Sequence, residues 1–191
     1  GEAVSGVKPG SFCTVDRAWK PGDVVSLRFP MEACVSAGWD RNAVAVTRGP
    51  LLFALKLAYE DRKVESYDVP FEKRTVGDLN GFPRHEIRAA EPWNRALVLN
   101  ARGGVDAEAV TRDLPLNPFE PGAAPVSLKV KTFRTDYGGW GHTRDILTAR
   151  AVEPPPSPVA VEGDVQTAEL VPMGATQVRI VLFPWARETV E

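Results

Sequence analysis

Hydrophobic and polar residues alternate along much of this chain. The alternation is clearest in three segments, residues 23–31, 125–133 and 177–182. A period of two residues places one set of side chains on a core and the other set in water, which is the pattern of a half-buried antiparallel strand. We therefore predict a strand in each of these segments.

Shorter alternating segments extend the same prediction. They lie at residues 11–19, 85–89, 95–100 and 167–171, and turn-forming Gly, Pro and Asn residues separate them. Residues 104–114 contain good helix formers but have no clear apolar stripe, so we predict a strand or a loop there. Many short strands without intervening helices predict an all-β fold of antiparallel β-sandwich type, with one sandwich incomplete and almost no helix.

The charge pattern suggests where one unit ends. Residues 58–68 are charged and do not alternate, so we predict a link between two β units. Residues 1–60 would then be a partial sandwich, the end of a preceding domain, and residues 61–191 a C-terminal sandwich domain. The proline-rich residues 152–159 are expected to be an extended polyproline connector.

A glycine and a proline interrupt one apolar stretch. Gly49 and Pro50 lie between residues 43–46 and residues 51–57, both rich in apolar side chains. Proline cannot donate a ladder hydrogen bond, and glycine permits a bend or bulge. We predict one strand bent around a corner at a sheet edge, in preference to a binding loop.

Composition narrows the classes of function. The 191 residues, 43% of them hydrophobic, can bury a core, and the net charge of −2 leaves no basic stripe for nucleic acid. No apolar stretch approaches the roughly 20 residues that span a bilayer, so we predict no membrane segment. The two cysteines do not indicate the cellular compartment, because they could form a disulfide or stay reduced. Periplasmic, secreted and cytoplasmic locations therefore all stay open.

The residues that most often bind metals are isolated in sequence. Cys13, Cys34, His85 and His142 lack the short spacings of a zinc site, so we predict buried thiols and ordinary histidines, with a disulfide as the alternative for the cysteines. The sequence indicates no carboxylate pair or nucleophile motif. We expect Asp23 and Arg48 to be structural hydrogen-bonding groups at strand ends.

The segment at residues 133–145 is the best candidate for a binding site. Tyr137 and Trp140 are separated by two glycines, and Asp136, His142 and Arg144 flank them. Aromatic faces stack on the apolar side of sugars, and polar neighbours can bind the hydroxyl groups. The competing interpretation is that Trp140 covers the end of a sandwich or packs on another domain.

The other tryptophans suggest structural positions. Trp19, Trp93 and Trp185 lie beside predicted strand residues and are expected in a core or an interface. Trp39 lies in a turn-like segment, and its role stays open.

Six segments occur in an order that resembles a known family. They are residues 15–31, 44–55, 91–99, 125–133, 155–159 and 168–184, and they contain motifs such as RGPLL, PWN and LVPMGATQVRI. Together they resemble the C-terminal β-sandwich region of the β-L-arabinofuranosidase-like glycoside hydrolases, family 127 and its relatives. Three positions depart from the family pattern: Arg95 stands where an aromatic is common, Met173 where the family has tyrosine, and Ala175 where it has cysteine.

The resemblance implies that the chemistry occurs in another part of the protein. Family enzymes place a zinc-associated cysteine nucleophile and a glutamate acid/base in an N-terminal (α/α)6 barrel, which this helix-poor chain lacks. No catalytic residue and no cofactor are therefore expected in the chain itself. We expect a fragment whose non-catalytic role is to support the barrel of the same protein in plant-glycan hydrolysis.

Two further expectations concern partners. The alternative function is a carbohydrate-binding module with its own affinity for sugar, which would use Tyr137 and Trp140. Unpaired edge strands near the N-terminus predict a homodimer or strand exchange, because exposed strand edges tend to pair with other chains.

Overall fold

Strands account for most of the regular structure. The computed structural model describes residues 2–64, 66–69, 74–77, 84–136, 141–143, 151–161 and 163–187. Within these ranges the helical residues are confined to two 3-10 turns, Asp40–Asn42 and Met173–Ala175. No helix in the described ranges is long and apolar enough to cross a membrane. The predicted all-β fold is confirmed.

Fourteen strands occur in the described residues. In chain order they are β1 Ala33–Ser36, β2 Ala45–Arg48, β3 Leu51–Leu55, β4 Tyr59–Val64, β5 Ser66–Val69, β6 Arg74–Gly77, β7 Arg84–Ala89, β8 Arg95–Leu99, β9 Ala107–Thr111, β10 Val126–Arg134, β11 Gly141–Thr143, β12 Ala151–Glu153, β13 Gln166–Pro172 and β14 Trp185–Arg187. The main sheet has the order β1-β2-β3-β13-β10-β8-β14, and β9 also pairs with β10. Strands β4 and β7, β5 and β6, and β11 and β12 form two-stranded sheets.

The main sheet curls until the segment before β14, at one end of the strand order, meets the segment before β2. The backbone N–H of Val44, just before β2, donates to the carbonyl of Phe183 at 2.9 Å, and the N–H of Phe183 donates back at 2.8 Å. Phe183 lies two residues before β14, which is at the opposite end of the strand order. Nearly all pairs in this sheet are antiparallel, and only β14 with β8 is parallel.

The concave side of the curled sheet holds the main core. Alternation decides which side chains reach it: in β10, Leu128 and Val130 are buried whereas Lys129 and Lys131 are exposed. Burying such alternating apolar faces is the main favourable term in forming the sheet. The largest fully buried members of this core are Val46, Phe53, Leu55, Leu97, Leu128, Val130, Leu170 and Phe183.

Strand β8 is buried on both faces. Leu97 and Leu99 belong to the main core, while Ala96 and Val98 pack with Phe133, Ala186 and the partly buried Val159 on the other side. This double burial explains why RALVL reads as a continuous apolar run instead of an alternating one.

The predicted boundary near residue 60 does not separate two sheets. Strand β3 pairs with β13, so strands from both sides of residue 60 belong to the main sheet. The charged residues 58–68 are not a link, because they form β4 and β5, and Arg62 of β4 lies opposite Glu86 of β7. Cross-strand pairs of opposite charge help to stabilise such a ribbon. Strand β4 has no apolar alternation and was not predicted, whereas the strand predicted at residues 85–89 is confirmed as β7.

The chain divides into two units, Gly1–Pro30 and Met31–Glu191. Residues 2–30 contain turns but no strand, so the strands predicted at residues 11–19 and 23–31 are wrong for this unit. Its best-defined feature is a turn in which the Asp23 carboxylate accepts from the N–H of Lys20 at 2.8 Å and from Arg17 at 3.1 Å. The Arg17 guanidinium lies 5.0 Å from the centre of the Trp19 ring.

Residues 177–182 keep their alternation without forming a strand. Val178 and Ile180 pack against the main core, while Gln177 and Arg179 are exposed. They contact a strand through the bond from the Leu55 N–H of β3 to the Ile180 carbonyl, at 2.9 Å. The predicted faces are therefore confirmed for residues 177–180, and the predicted strand is wrong.

Gly49 and Pro50 form a two-residue hairpin turn. Arg48 pairs with Leu51 on the opposite strand, so β2 and β3 are separate antiparallel strands and the predicted single bent strand is wrong. Gly49 has a φ of +56°, as the first central residue of a hairpin turn requires, and the fixed negative φ of proline suits the second.

Replacing Gly49 with valine is expected to destabilise the protein by about 1–3 kcal/mol, because a β-branched residue is strained at positive φ. The new Cβ would also lie 2.8 Å from Sδ of Met31. Urea unfolding should show this loss. Gly104→Ala is the control, since its Cβ would meet only Asn100, at 3.5 Å, and an equal loss in both variants would contradict the turn argument.

Candidate functional site

A groove lies between the free edges of β1 and β9. Among the described residues β1 pairs only with β2, and β9 pairs only with β10. The groove has a volume of about 490 Å³. Its lining comprises Met31, Glu32, Ala33, Arg48, Val105, Asp106, Ala107, Ala109 and Leu128. We call it the β1–β9 groove.

The floor of the β1–β9 groove is part of the main core. Leu128 and Val105 are buried and belong to that core, and Ala107 packs against it. Two unpaired strand edges above an apolar floor can accept an extended polypeptide, since backbone groups would pair at the edges and alternate side chains would cover the floor.

Charged groups also line the β1–β9 groove. Asp106 is held in place by the side-chain amide of Asn100, which donates to it at 2.8 Å. The side chain of Arg48 is half-buried and makes no hydrogen bond or ion pair with any residue that the structure describes. The prediction that Arg48 is a structural hydrogen-bonding group therefore stays a prediction, whereas Asp23 is such a group but lies in a turn and not at a strand end.

A row of alternating charges crosses the outer face of the main sheet. Lys129 of β10 lies opposite both Glu108 of β9 and Glu169 of β13, and its ammonium is 3.0 Å from the Glu108 carboxylate. Lys56 pairs with Glu169 at 2.6 Å. Partial burial is the largest single influence and raises the pKa of Glu169, but the hydrogen bonds from Lys56 and Ser127 and the charges of Lys56 and Arg112 together outweigh it, so this pKa lies below its ordinary value. The row is self-paired and connects neighbouring strands.

The ribbon of β4 and β7 carries a second charged group. Glu86 accepts from Arg88 and Arg62, and the bond from Arg88 contributes most to lowering the pKa of Glu86. His85 Nδ1 lies 2.5 Å from a carboxylate oxygen of Asp61. All of these groups are at least partly exposed, so we assign them to the stability of the ribbon.

The predicted sugar-binding residues are not brought together in the described part of the chain. Tyr137, Trp140 and Arg144 lie outside the described residues. Asp136 is exposed, and His142 is in β11, where its backbone pairs with Val152. The carbohydrate site therefore stays a prediction.

A buried anchor lies just before Tyr137. Asn94 is 4% exposed, and its side-chain amide donates to the backbone carbonyl of Thr135. The backbone carbonyl of Asn94 accepts in turn from the Thr135 N–H at 2.9 Å. This reciprocal pairing fixes the end of β10 against the start of β8.

Both cysteines are exposed and free, so the prediction of buried thiols is wrong and the disulfide alternative is not realised. Cys34 faces outward because β1 is an edge strand whose alternate residues, Ala33 and Val35, pack on the core. Within the described ranges, no three His, Cys, Asp or Glu residues are grouped so as to hold a metal.

The tryptophans divide between core and surface. Trp93 and Trp185 are partly buried against the main core, as predicted, and the Trp185 ring N–H donates to the Asn42 carbonyl at 2.8 Å. Trp19 is half-exposed and is not a core residue. Trp39 is also half-exposed, and its role stays open.

An exposed apolar loop is a feature that the sequence reasoning missed. Leu114, Leu116 and Phe119 are 76%, 106% and 70% exposed. The ring of Phe119 lies over Gly174, where a Cβ would be only 2.9 Å from its Cδ1. Asn117 accepts from the Phe119 N–H at 3.1 Å, which fixes the turn. We call residues 114–119 the apolar loop. The sequence pattern that could have indicated it is the placement of two leucines and a phenylalanine between prolines.

Comparison with known proteins gives no match: no family model, curated protein or solved structure matches this chain. The family resemblance therefore rests on the six sequence segments alone. What that resemblance implies is taken up below as a proposal.

Proposed function

We propose that this chain is a non-catalytic β-sandwich region of a glycoside hydrolase that resembles β-L-arabinofuranosidases. Its role is to support the catalytic (α/α)6 barrel of the same protein. The all-β fold is compatible with this role, and the six ordered segments provide the link to the family.

The observation that carries the proposal is the apolar loop. Three large apolar side chains are exposed together on a fixed turn, although the neighbouring sheet has a well-packed core. An exposed apolar cluster of this kind marks a surface that another protein surface covers. Phe119 is held against Gly174, so the loop presents a preformed contact surface and loses little conformational entropy when a domain packs on it.

The supporting role is mechanical. A domain that packs on a curled sheet with a rigid core is held in a fixed orientation, and the substrate-binding groups of that domain keep their spacing. In this arrangement the zinc, the nucleophile and the acid/base all belong to the barrel. The chain contributes an apolar contact surface and no reacting group.

The test measures whether the chain binds a catalytic barrel. A barrel domain from a family-127 enzyme, produced without its sandwich region, is titrated with the chain by calorimetry. We expect binding that Leu116→Asp weakens by about tenfold or more, the equivalent of about 1.4 kcal/mol. Val165→Asp is the matched control, because Val165 is also an exposed apolar residue but lies outside the apolar loop. No binding, or equal binding by both variants, would contradict the proposal.

A sugar titration distinguishes the alternative function. Saturable binding of arabinose-containing oligosaccharides that Trp140→Ala abolishes would favour a carbohydrate-binding module. Turnover of an aryl arabinofuranoside by the purified chain alone would overturn both interpretations.

A further inference from the structure

We propose that the β1–β9 groove is a strand-docking site for residues 24–29 of a second copy of this chain, so that two copies exchange strands and form a symmetric dimer. The inference goes beyond the supporting role proposed above. It uses a different surface, because the apolar loop takes no part in it.

Two features of the β1–β9 groove suit it to accept a strand: the unpaired backbone edges that border it and the apolar side chains on its floor. Strands β1 and β9 each have one edge without a partner among the described residues, and both edges border the same groove. Ala33 of β1 and Ala107 of β9 pack against the main core, and Leu128 lies between them on the floor. A strand placed here would therefore pair at its edges and cover apolar side chains with one face.

The donor has the pattern that such a groove requires. Val25, Leu27 and Phe29 alternate along one face of an extended chain, yet they are 63%, 76% and 70% exposed. Within residues 2–30 no strand pairs with them. Six residues span about 20 Å at about 3.3 Å per residue, enough to run alongside the five residues of β9.

Charge fixes which way the donor faces. When Val25, Leu27 and Phe29 point to the floor, Arg28 points outward. Asp106 and Glu32 are on that same outer side, because Ala107 and Ala33, their neighbours in sequence, pack inward. Arg28 has no hydrogen bond or ion pair with a described residue. The apolar face and the single arginine therefore match the groove in the same orientation.

The sequence favours a second copy over the same chain as the source of the donor. The donor ends at Pro30, and Met31 already lines the groove. To enter its own groove beside β1, the segment would have to reverse within Pro30, Met31 and Glu32. Three-residue hairpin loops normally place glycine at a left-handed position, and this loop has none. Donor and acceptor on one chain close into a two-fold dimer without a third component.

Light scattering across a dilution series tests the proposal. We expect wild type to show about twice the 20.8 kDa chain mass at high concentration and Leu27→Asp to be monomeric. Val7→Asp, an exposed apolar position outside the donor, should stay dimeric, as should Leu116→Asp in the apolar loop. Circular dichroism must show an unchanged fold in all variants. A monomeric wild type, or a dimeric Leu27→Asp, would overturn the proposal.

Charge reversal and hydrogen exchange identify the groove. Arg28→Glu and Glu32→Arg should each weaken the dimer, and the double variant should recover at least part of the lost affinity, because the pair is restored with exchanged signs. Dimer formation should protect amides in both residues 24–29 and β9. Protection of residues 24–29 without β9 would mean that the donors pair with each other, which would overturn the assignment of the groove.

Discussion

Replacing Phe183 with alanine is expected to lower the free energy of unfolding by about 3–5 kcal/mol, the range measured for large-to-small changes at buried aromatic positions. Phe183 is fully buried, and its ring packs in the main core. Its backbone also forms the reciprocal bridge with Val44 that joins the segment before β14 to the segment before β2. Urea unfolding followed by far-UV circular dichroism measures the loss as a shift in the midpoint at constant slope.

Phe12→Ala is the matched control for this prediction. It makes the same chemical change at a fully exposed side chain in the first unit. A surface substitution away from caps and networks changes stability by less than about 0.5 kcal/mol. Equal effects in the two variants would show that Phe183 does not fill the core, and the closure of the sheet around it would then be wrong.

The central strands could be predicted from the sequence because their burial is local and one-sided. In β10, apolar and polar residues alternate from Val126 to Lys131, and the predicted residues 125–133 nearly coincide with Val126–Arg134. Strand β13 was predicted within about one residue for the same reason, and β8 was predicted equally closely as an apolar run, although it is buried on both faces. Each of these strands contributes at least two side chains to the main core.

Alternation predicted faces more reliably than it predicted strands. Residues 23–31 have as clear a pattern as β10, yet form no strand within their unit. A strand needs a neighbour to pair its backbone, and no local pattern records whether that neighbour exists. Strand β4 shows the opposite case, because it pairs with β7, with Arg62 opposite Glu86, although its own residues have no apolar alternation.

The surfaces that carry the two proposals were missed for a related reason. The β1–β9 groove joins residues more than seventy positions apart, and its position depends on how the sheet curls. The apolar loop was hidden because an apolar residue between prolines is normally assigned to a core or a turn. Only the exposure of Leu116 and the contact of Phe119 with Gly174 identify it as a surface.

The second large effect is expected from Asn94→Asp, which should destabilise the protein by about 3 kcal/mol or more at pH 7. The Asn94 amide donates to the Thr135 carbonyl, and a carboxylate there would place two acceptors face to face in a buried site. Burial disfavours the charged form, so the new aspartate should have a pKa well above its unfolded value of about 3.9. Denaturant unfolding across a pH series measures the effect.

The pH dependence identifies the cause of this loss. A group whose folded pKa is raised stays protonated in both states below the unfolded pKa, so the difference from wild type should be smallest below about pH 4. The difference should grow as the pH rises and become constant above the folded pKa. Asn117→Asp is the control, because Asn117 is exposed and its side-chain oxygen accepts from the Phe119 N–H, a role that a carboxylate retains. A loss in Asn94→Asp that is independent of pH would mean that lost packing causes it, and not a buried charge.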